Sequence, residues 1–253
     1  MGLFGDKGED WYKKGLAYLR GEGVEKDLAK AAEWFEKAAS KKHAGAQGLL
    51  GRLYLFGEGV PQDYEKALYW FQEAANRGDM TAQGDLGELY RDGKVIPQDY
   101  AKALYWYEKS AAQNDASSQF NLGVLYYNGK GVPQDYADAV YWFKRAADRG
   151  YANAQTNLGS CYESGNGVPQ DMEKAVFWYQ KAAEQGSAVA QFNLGSCYEL
   201  SKGVPQDLEK AMKWYQKAAY QGHEEARKAM DARMKEVWKS DDSSPLSREE
   251  DGA

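Results

Sequence analysis

The chain has 253 residues, enough for one large domain or two small ones and for a substantial buried core. Its 32 basic and 38 acidic side chains give a formal charge of −6, and Lys and Arg are spread without a basic run, so nucleic acid is not an expected partner. No segment approaches the ~20 apolar residues of a membrane-spanning helix, so no membrane association is expected either.

The N-terminal segment MGLFGDKGEDWYKKG has no apolar run of the length that a signal peptide needs. The sequence therefore predicts a cytoplasmic protein, with an exported form whose signal has been removed as the open alternative. We expect residues 1–7 to form a short extension before the first structural element.

A pentapeptide, GVPQD or a variant of it, ends at an aspartate that recurs every 36 residues. The six aspartates are Asp27, Asp63, Asp99, Asp135, Asp171 and Asp207. Trp, Gly and Tyr series keep the same period, starting at Trp34, Gly15 and Tyr18. A fixed period of this length indicates stacked supersecondary units. The predicted repeats are 8–43, 44–79, 80–115, 116–151, 152–187 and 188–223.

Each repeat reads as two helices joined by the pentapeptide loop. In repeat 4 the apolar spacing predicts helices over Ala116–Asn128 and Tyr136–Arg149, and no alternating β-branched run predicts a strand. In the loop, Gly131 permits the left-handed backbone, Pro133 forbids helix continuation and Asp135 is placed to cap the second helix.

A glycine inside each first helix needs another explanation, because glycine costs about 1 kcal/mol in a helix interior. We expect Gly123 and its equivalents to allow close approach of the second helix, with its Trp or aromatic side as the partner.

Local departures from the repeat mark individual copies. Repeat 1 has GVEKD without proline and Lys42 at the helix-ending position, so it is expected to be the looser end. Trp11 stands where later copies have Gln, Val95 replaces one loop glycine and Ser201 replaces another. These irregularities favour a natural gene over an idealised consensus design.

After the repeats, residues 224–238 (EEARKAMDARMKEVW) predict a helix that caps the apolar end of the last repeat. Residues 239–253 (KSDDSSPLSREEDGA) are polar and charged, and we expect them to be a disordered, solubilising tail, with a short docking segment as the alternative.

The repeats resemble the Sel-one-like repeat (SLR) family, which is related to the tetratricopeptide repeats. The resemblance rests on AQFNLGSCYELSKGVPQDLEKAMKWYQKAAYQG and its five sister copies, over about Gly8 to His223. It implies an all-α protein, a right-handed α/α solenoid with the first helices on its concave side. It also implies a scaffold for protein–protein interaction, often in bacterial signalling or host contact, without identifying the partner.

Positions that differ between copies on the exposed face of the first helices are the candidate partner-binding residues. This surface mixes aromatic and aliphatic side chains with Arg, the residue types of interface anchors. The candidates are Tyr12, Leu16, Arg52, Leu55, Phe56, Glu88, Arg91, Phe120, Val124, Tyr127, Asn128 and Phe192. The alternative for each of them is packing against the next repeat. We expect a monomer that binds a peptide or helix of a partner protein in this groove.

A second candidate surface is an aromatic series on the outer face of the second helices. Its members are Tyr69, Tyr105, Tyr141 and Phe177. Their regularity favours a role in covering the scaffold over recognition.

Catalysis and metal binding are not expected. Equivalent aspartates of neighbouring repeats are predicted to lie too far apart to share one metal ion. His43 and His223 read as lone surface imidazoles, and Cys161 and Cys197 as small core residues. No cofactor is predicted. The alternatives to a scaffold are an immunity protein that neutralises one toxin and, third, a hydrolase-like enzyme.

Overall fold

The computed structural model describes residues 7–242, with the side chains of 7–235, and every regular element in that range is an α-helix. The chain divides into two compact units, Met1–Asp135 (unit 1) and Tyr136–Ala253 (unit 2). The predicted all-α class built from repeated helix pairs is confirmed.

In unit 1 the odd-numbered helices are the first helices of the repeats, and each packs on the helix that follows it, as α1 does on α2. Consecutive repeats also pack, α2 on α3 and α4 on α5. The helices are α1 (Lys7–Arg20), α2 (Leu28–Ser40), α3 (Ala44–Phe56), α4 (Tyr64–Asn76), α5 (Met80–Asp92), α6 (Tyr100–Ala112) and α7 (Ala116–Asn128).

Unit 2 begins with the second helix of repeat 4 and continues the same alternation, with each helix packed on the next one in the chain. Its helices are α8 (Tyr136–Asp148), α9 (Ala152–Ser164), α10 (Met172–Glu184), α11 (Ala188–Glu199), α12 (Leu208–Tyr220) and α13 (Glu224–Asp242). The predicted bounds of α7 agree with the structure, and α8 ends one residue before the predicted Arg149.

The glycine inside each first helix faces an aromatic ring of the second helix, as the sequence predicted. A Cβ added to Gly51 would lie 2.9 Å from Cδ1 of Phe71. Of the two predicted partners, Trp or another aromatic residue, the ring is that of Phe71, which is completely buried, whereas Trp70 is only partly buried. Phe71 and its equivalents therefore form the centre of each helix pair.

The pentapeptide aspartates cap the second helices. The carboxylate of Asp63 accepts a 3.0 Å hydrogen bond from the backbone N–H of Lys66, and the Lys66 ammonium forms an ion pair with it at 3.5 Å. The same hydrogen bond is present at Asp27, Asp99, Asp171 and Asp207. The glutamine before the aspartate has a role that the sequence left unassigned, since Gln62 Nε2 donates to the carbonyl of Leu55 at 2.8 Å. The loop thus satisfies the free polar groups at both helix ends.

A buried glutamine near the start of the first helices joins neighbouring repeats. Gln83 of α5 is 5% exposed, and its Nε2 donates to the carbonyl of Ala75 in α4 at 3.0 Å. Its Oε1 accepts a 2.8 Å hydrogen bond from Gln113, which follows α6. Gln155 and Gln191 in unit 2 repeat both contacts.

The interpretation of His43 and His223 as lone surface imidazoles was wrong. Each is partly buried at a helix N-terminus, where Nδ1 of His43 accepts from the N–H of Ala46 at 3.1 Å. Nδ1 of His223 accepts from the N–H of Ala226 at 3.3 Å. Asp79 and Asp115 cap the equivalent helices with a carboxylate, so the histidines substitute for a capping carboxylate.

The predicted capping helix is present as α13 and continues beyond its predicted end at Trp238 to Asp242. It packs on α12, and Ala226 is completely buried there. Residues 243–253 of the predicted tail lie outside the described residues. Residues 1–6 of the predicted extension also lie outside them, and residue 7 is the first residue of α1.

Candidate functional site

The candidate residues lie on the first helices, and most of them belong to unit 1. We define the first-helix surface as the unit 1 members of the predicted set. They are Tyr12, Leu16, Arg52, Leu55, Phe56, Glu88, Arg91, Phe120, Val124, Tyr127 and Asn128. Phe192 lies on α11 of unit 2.

The terminal aromatic candidates take part in the scaffold. Tyr12 stacks on His43 with ring centroids 4.3 Å apart, and Phe192 stacks on His223 at 4.8 Å. Leu16 packs against the core of unit 1. These three residues therefore have a packing role that is independent of any partner.

Two arginines of the first-helix surface are held by neighbouring repeats. Arg52 of α3 forms a bidentate pair with Asp85 of α5, with Nε–Oδ2 and Nη2–Oδ1 distances of 2.8 and 2.9 Å. Arg91 donates to Oδ1 of Asp92 and to Oδ1 of Asn121 in α7, each at 2.8 Å. The planar guanidinium suits such forked contacts, which fix the spacing of the first helices at the surface.

The structure brings four predicted residues together around one open cavity of about 530 Å³ within unit 1. The predicted members are Arg52, Leu55, Phe56 and Glu88. The other lining residues were not among the candidates; they are Gln62, Tyr64, Asp85, Leu89, Asp92, Lys94 and Val95. Among these residues, Val95 carried a signal in the sequence, because it interrupts the series of loop glycines.

The chemistry of this cavity combines an apolar wall with a carboxylate, that of Glu88, which forms no ion pair with any residue that the structure describes. Phe56 is 65% exposed, and Leu55 and Leu89 lie beside it partly buried. Partial removal from water, together with the charges of Asp85 and Asp92, raises the pKa of the Glu88 carboxyl against the opposing effect of nearby arginines. A cation placed at Glu88 would stabilise its ionised form.

A smaller cavity of about 290 Å³ adjoins the first one and shares Asp92 and Lys94 with it. Arg91 and Val124 are the predicted residues in its lining. Phe120, Tyr127 and Asn128 line neither cavity, and the Asn128 side chain donates to the carbonyl of Val124 in its own helix. The predicted residues that line a cavity are therefore mostly those on α3 and α5.

The aromatic series on the second helices is exposed, as predicted. Tyr69 and Tyr105 in unit 1 are 54% and 51% exposed, and each packs edge-on against the following tryptophan with ring centroids 4.9 Å apart. This regular pairing agrees with a covering role for the series.

The two cysteines are buried in unit 2, each 1% exposed. Burial raises the pKa of the Cys161 and Cys197 thiols to about 11, so both are neutral near pH 7. Among the described residues, no group of three or more His, Cys, Asp or Glu side chains is arranged to hold a metal ion. Within the same range, no helix is long and apolar enough to cross a membrane.

Paired helices in a 36-residue period, closed by an additional helix, define the class of α/α repeat proteins. The family model for the Sel1 repeat matches six segments that cover most of the chain. The segments are 12–43, 44–79, 81–115, 116–151, 152–187 and 188–223. The chain belongs to the Sel1 repeat family.

Solved structures of bacterial proteins resemble this chain. One is a protective antigen of uropathogenic Escherichia coli that displays an SLR fold, with 35% identity, a TM-score of 0.84 and coverage of 88% of this chain. The chain spans only 48% of that protein's length. A Sel1 repeat protein from Oxalobacter formigenes has 31% identity and a TM-score of 0.75, with 83% of this chain and 84% of that chain covered.

An immunity protein from Pseudomonas aeruginosa is similar in fold alone, with 18% identity, a TM-score of 0.50, and 91% of this chain and 85% of that chain covered. No curated protein shows significant sequence similarity to the chain.

Proposed function

We propose that this chain is a non-enzymatic protein-interaction module that binds a peptide or helix of a partner protein on the first-helix surface of unit 1. The observation that carries the proposal is Phe56, a large apolar side chain that is 65% exposed at the wall of an open cavity. Exposed aromatic anchors beside arginine are typical of binding hot spots. Sel1 repeat proteins bind protein partners, which agrees with this reading.

The rigidity of the surrounding scaffold supports the proposal. The Arg52–Asp85 pair and the Arg91–Asn121 hydrogen bond hold three consecutive first helices at fixed spacing. A surface that is ordered before binding loses less conformational entropy when a partner is bound. The immunity-protein alternative has support from the fold alone and is not carried further.

The test is photo-crosslinking in cells with p-benzoylphenylalanine introduced at Phe56. The matched control carries it at Tyr69, an aromatic residue of the same unit that is 54% exposed on a second helix. We expect one protein to be crosslinked from Phe56 and not from Tyr69. Equal crosslinking from both positions, or none from Phe56, would contradict the proposed surface.

A single substitution provides the binding control. Phe56→Ser removes the anchor without opening the core, because the side chain is mostly in water. We expect capture of the crosslinked partner by purified protein to be lost with Phe56→Ser and kept with Tyr69→Ser. An unchanged thermal midpoint for both variants would show that the loss is not due to unfolding.

A further inference from the structure

The pentapeptide loops pack against the preceding repeat through their second glycine. Gly59 has a φ of 73°, and a Cβ added there would overlap the backbone of Leu28, the first residue of α2. A Cβ on Gly131 would lie 2.8 Å from the backbone carbonyl carbon of Tyr100, the first residue of α6. Within unit 2, Gly167 and Gly203 approach the preceding second helix in the same way. The loops therefore close these junctions with backbone-to-backbone contact that only glycine permits.

The loop of repeat 3 is the exception. Val95 takes the glycine position and does not adopt the left-handed conformation of Gly59 and Gly131. Tyr64 is the first residue of α4 and corresponds to Leu28 and Tyr100. Val95 and Tyr64 both line the cavity of about 530 Å³, whereas the cavity at the next junction, which Tyr100 lines, is only about 290 Å³. A β-branched side chain cannot occupy the space that glycine leaves to the backbone, which accounts for the wider opening between repeats 2 and 3.

The charges around this opening are unequally satisfied. Asp85 pairs with Arg52, and Asp92 pairs with Arg91. Glu88 has no ion pair among the described residues, and it is exposed at the lining of the cavity. Lys94 is exposed on the loop, where water solvates its compact ammonium group well. The lining has three carboxylates and two basic side chains, so its charge favours a cationic ligand, and Glu88 is the carboxylate that the nearby arginines leave without an ion pair among the described residues.

We propose that this cavity, the Val95 pocket, binds an apolar side chain of the partner together with a basic group next to it. Phe56 contacts the apolar part, and Glu88 pairs with the cation. Val95 determines specificity by holding the junction open. The proposal rests on the proposed function and names the chemistry of what is recognised. It assigns the binding specificity to a residue that breaks the repeat pattern.

The test uses small molecules that carry an apolar group and a charge without the rest of a partner protein. Amide chemical shifts of the ¹⁵N-labelled full chain are recorded with millimolar phenethylamine and with 3-phenylpropionate, which has a similar apolar part and the opposite charge. We expect phenethylamine to shift the amides of Phe56, Glu88 and Val95. The carboxylate should bind about fivefold more weakly, which corresponds to ~1 kcal/mol.

Three variants separate the roles. In Val95→Gly, the loop can close as its sister loops do, so binding of phenethylamine should be lost while the thermal midpoint is kept. Glu88→Gln should make the two probes bind equally. The matched control is Val24→Gly, a loop valine of repeat 1 that lies outside the pocket.

Unchanged phenethylamine binding by Val95→Gly, or equal binding of both probes by the wild-type chain, would overturn the proposal. If Val95→Gly does not fold, Phe56→Ser is the deciding variant. It should bind phenethylamine more weakly, because the amine loses its contact with the Phe56 ring. Crosslinking from Phe56 with no probe selectivity would reject the Val95 pocket and leave the proposed function standing. Probe selectivity without crosslinking would reject the proposed function instead.

Discussion

The hydroxyl of Tyr179 in α10 donates a 2.7 Å hydrogen bond to Oε2 of Glu163 in α9. Tyr215 of α12 makes the same contact with Glu199 of α11, also at 2.7 Å. A buried phenol needs a hydrogen-bond partner, and the first helix supplies it. Variation at this first-helix position therefore follows the ring that faces it.

The correspondence extends along the sequence. Where the second helix has Phe, the first helix has Leu or Tyr, and where it has Tyr, the first helix has a charged residue. By repeat position the pairs are Phe35 with Leu19, Phe71 with Leu55, Tyr107 with Arg91, Phe143 with Tyr127, Tyr179 with Glu163 and Tyr215 with Glu199. A difference between repeats is thus not by itself a sign of partner recognition.

This relationship predicts the outcome of a double-mutant cycle. Tyr179→Phe should lower the free energy of unfolding by about 1.5–3 kcal/mol, because Glu163 loses a hydrogen bond to its charged group. Adding Glu163→Leu should recover much of the loss, since it recreates the pairing of Phe71 with Leu55. Urea unfolding followed by circular dichroism measures both. Strictly additive effects would contradict the coupling.

Two glycines of α3 should respond in opposite directions to alanine. Gly51→Ala should destabilise the chain by about 1–3 kcal/mol, because the new Cβ would lie 2.9 Å from the buried ring of Phe71. Gly48→Ala is the matched control: its Cβ would meet only ordinary contacts, at 3.6 Å and beyond. Alanine should there stabilise the helix by up to about 1 kcal/mol. Similar thermal midpoints for the two variants would contradict the close approach.

The capping aspartates predict a loss of stability in acid. The hydrogen bond from the backbone N–H of Lys66 and the charge of its side chain lower the pKa of Asp63 below its ordinary value of 3.8. A lowered folded-state pKa contributes stability above the unfolded value that is lost as the pH falls through the folded value. Asp63→Asn keeps a capping acceptor without a titrating group.

We therefore expect the wild-type chain to have a higher thermal midpoint than Asp63→Asn at pH 7, and the difference to disappear as the pH falls below 3.8 and through the lowered folded-state pKa of Asp63. Thermal melts across the acid range measure this. A difference that stays constant down to the lowest pH would show that the ionised carboxylate is not what stabilises the cap.

The cysteines should be unreactive in the folded chain. Because burial raises the pKa of Cys161 to about 11, the thiol is almost entirely protonated at pH 8 and cannot react as a thiolate. A disulfide reagent such as 5,5′-dithiobis(2-nitrobenzoate) should label Cys161 and Cys197 only after unfolding, so the reaction reports on the opening of unit 2. Single Cys→Ser variants assign the signal. Rapid labelling of both thiols in native buffer would contradict their burial.

The repeat pattern was sufficient to predict the helix pairs, their caps and the burial of the cysteines. It left open which residue makes a contact where that depends on rotation about the helix axis. The ring facing Gly51 belongs to Phe71 and not to its neighbour Trp70, a difference of one residue that periodicity does not resolve. The capping role of His43 was missed because the imidazole acceptor lies outside the usual set of capping residues.

The centre of the candidate site was predicted in part. Arg52, Leu55, Phe56 and Glu88 were identified from their variation, and the structure groups them around one cavity. The second wall, with Tyr64 and Val95, comes from the following helix and the next loop. Contacts between adjacent repeats depend on how closely a loop approaches its neighbour, and the sequence of one repeat does not encode that distance.

The buried glutamines also bear on the order in which the array comes apart. Gln83, Gln155 and Gln191 each use both ends of the amide, Nε2 to the preceding repeat and Oε1 to a glutamine of their own repeat. Oε1 of Gln47 and Oε1 of Gln119 have no hydrogen-bond partner among the described residues. Arg77, at the position of the donor Gln113, binds Glu73 instead. Of the two junctions with an unsatisfied amide oxygen, the first lies next to the end of the array, so fraying under heat or mechanical load would begin at α1 and α2 and leave the Val95 pocket intact after the first pair has detached.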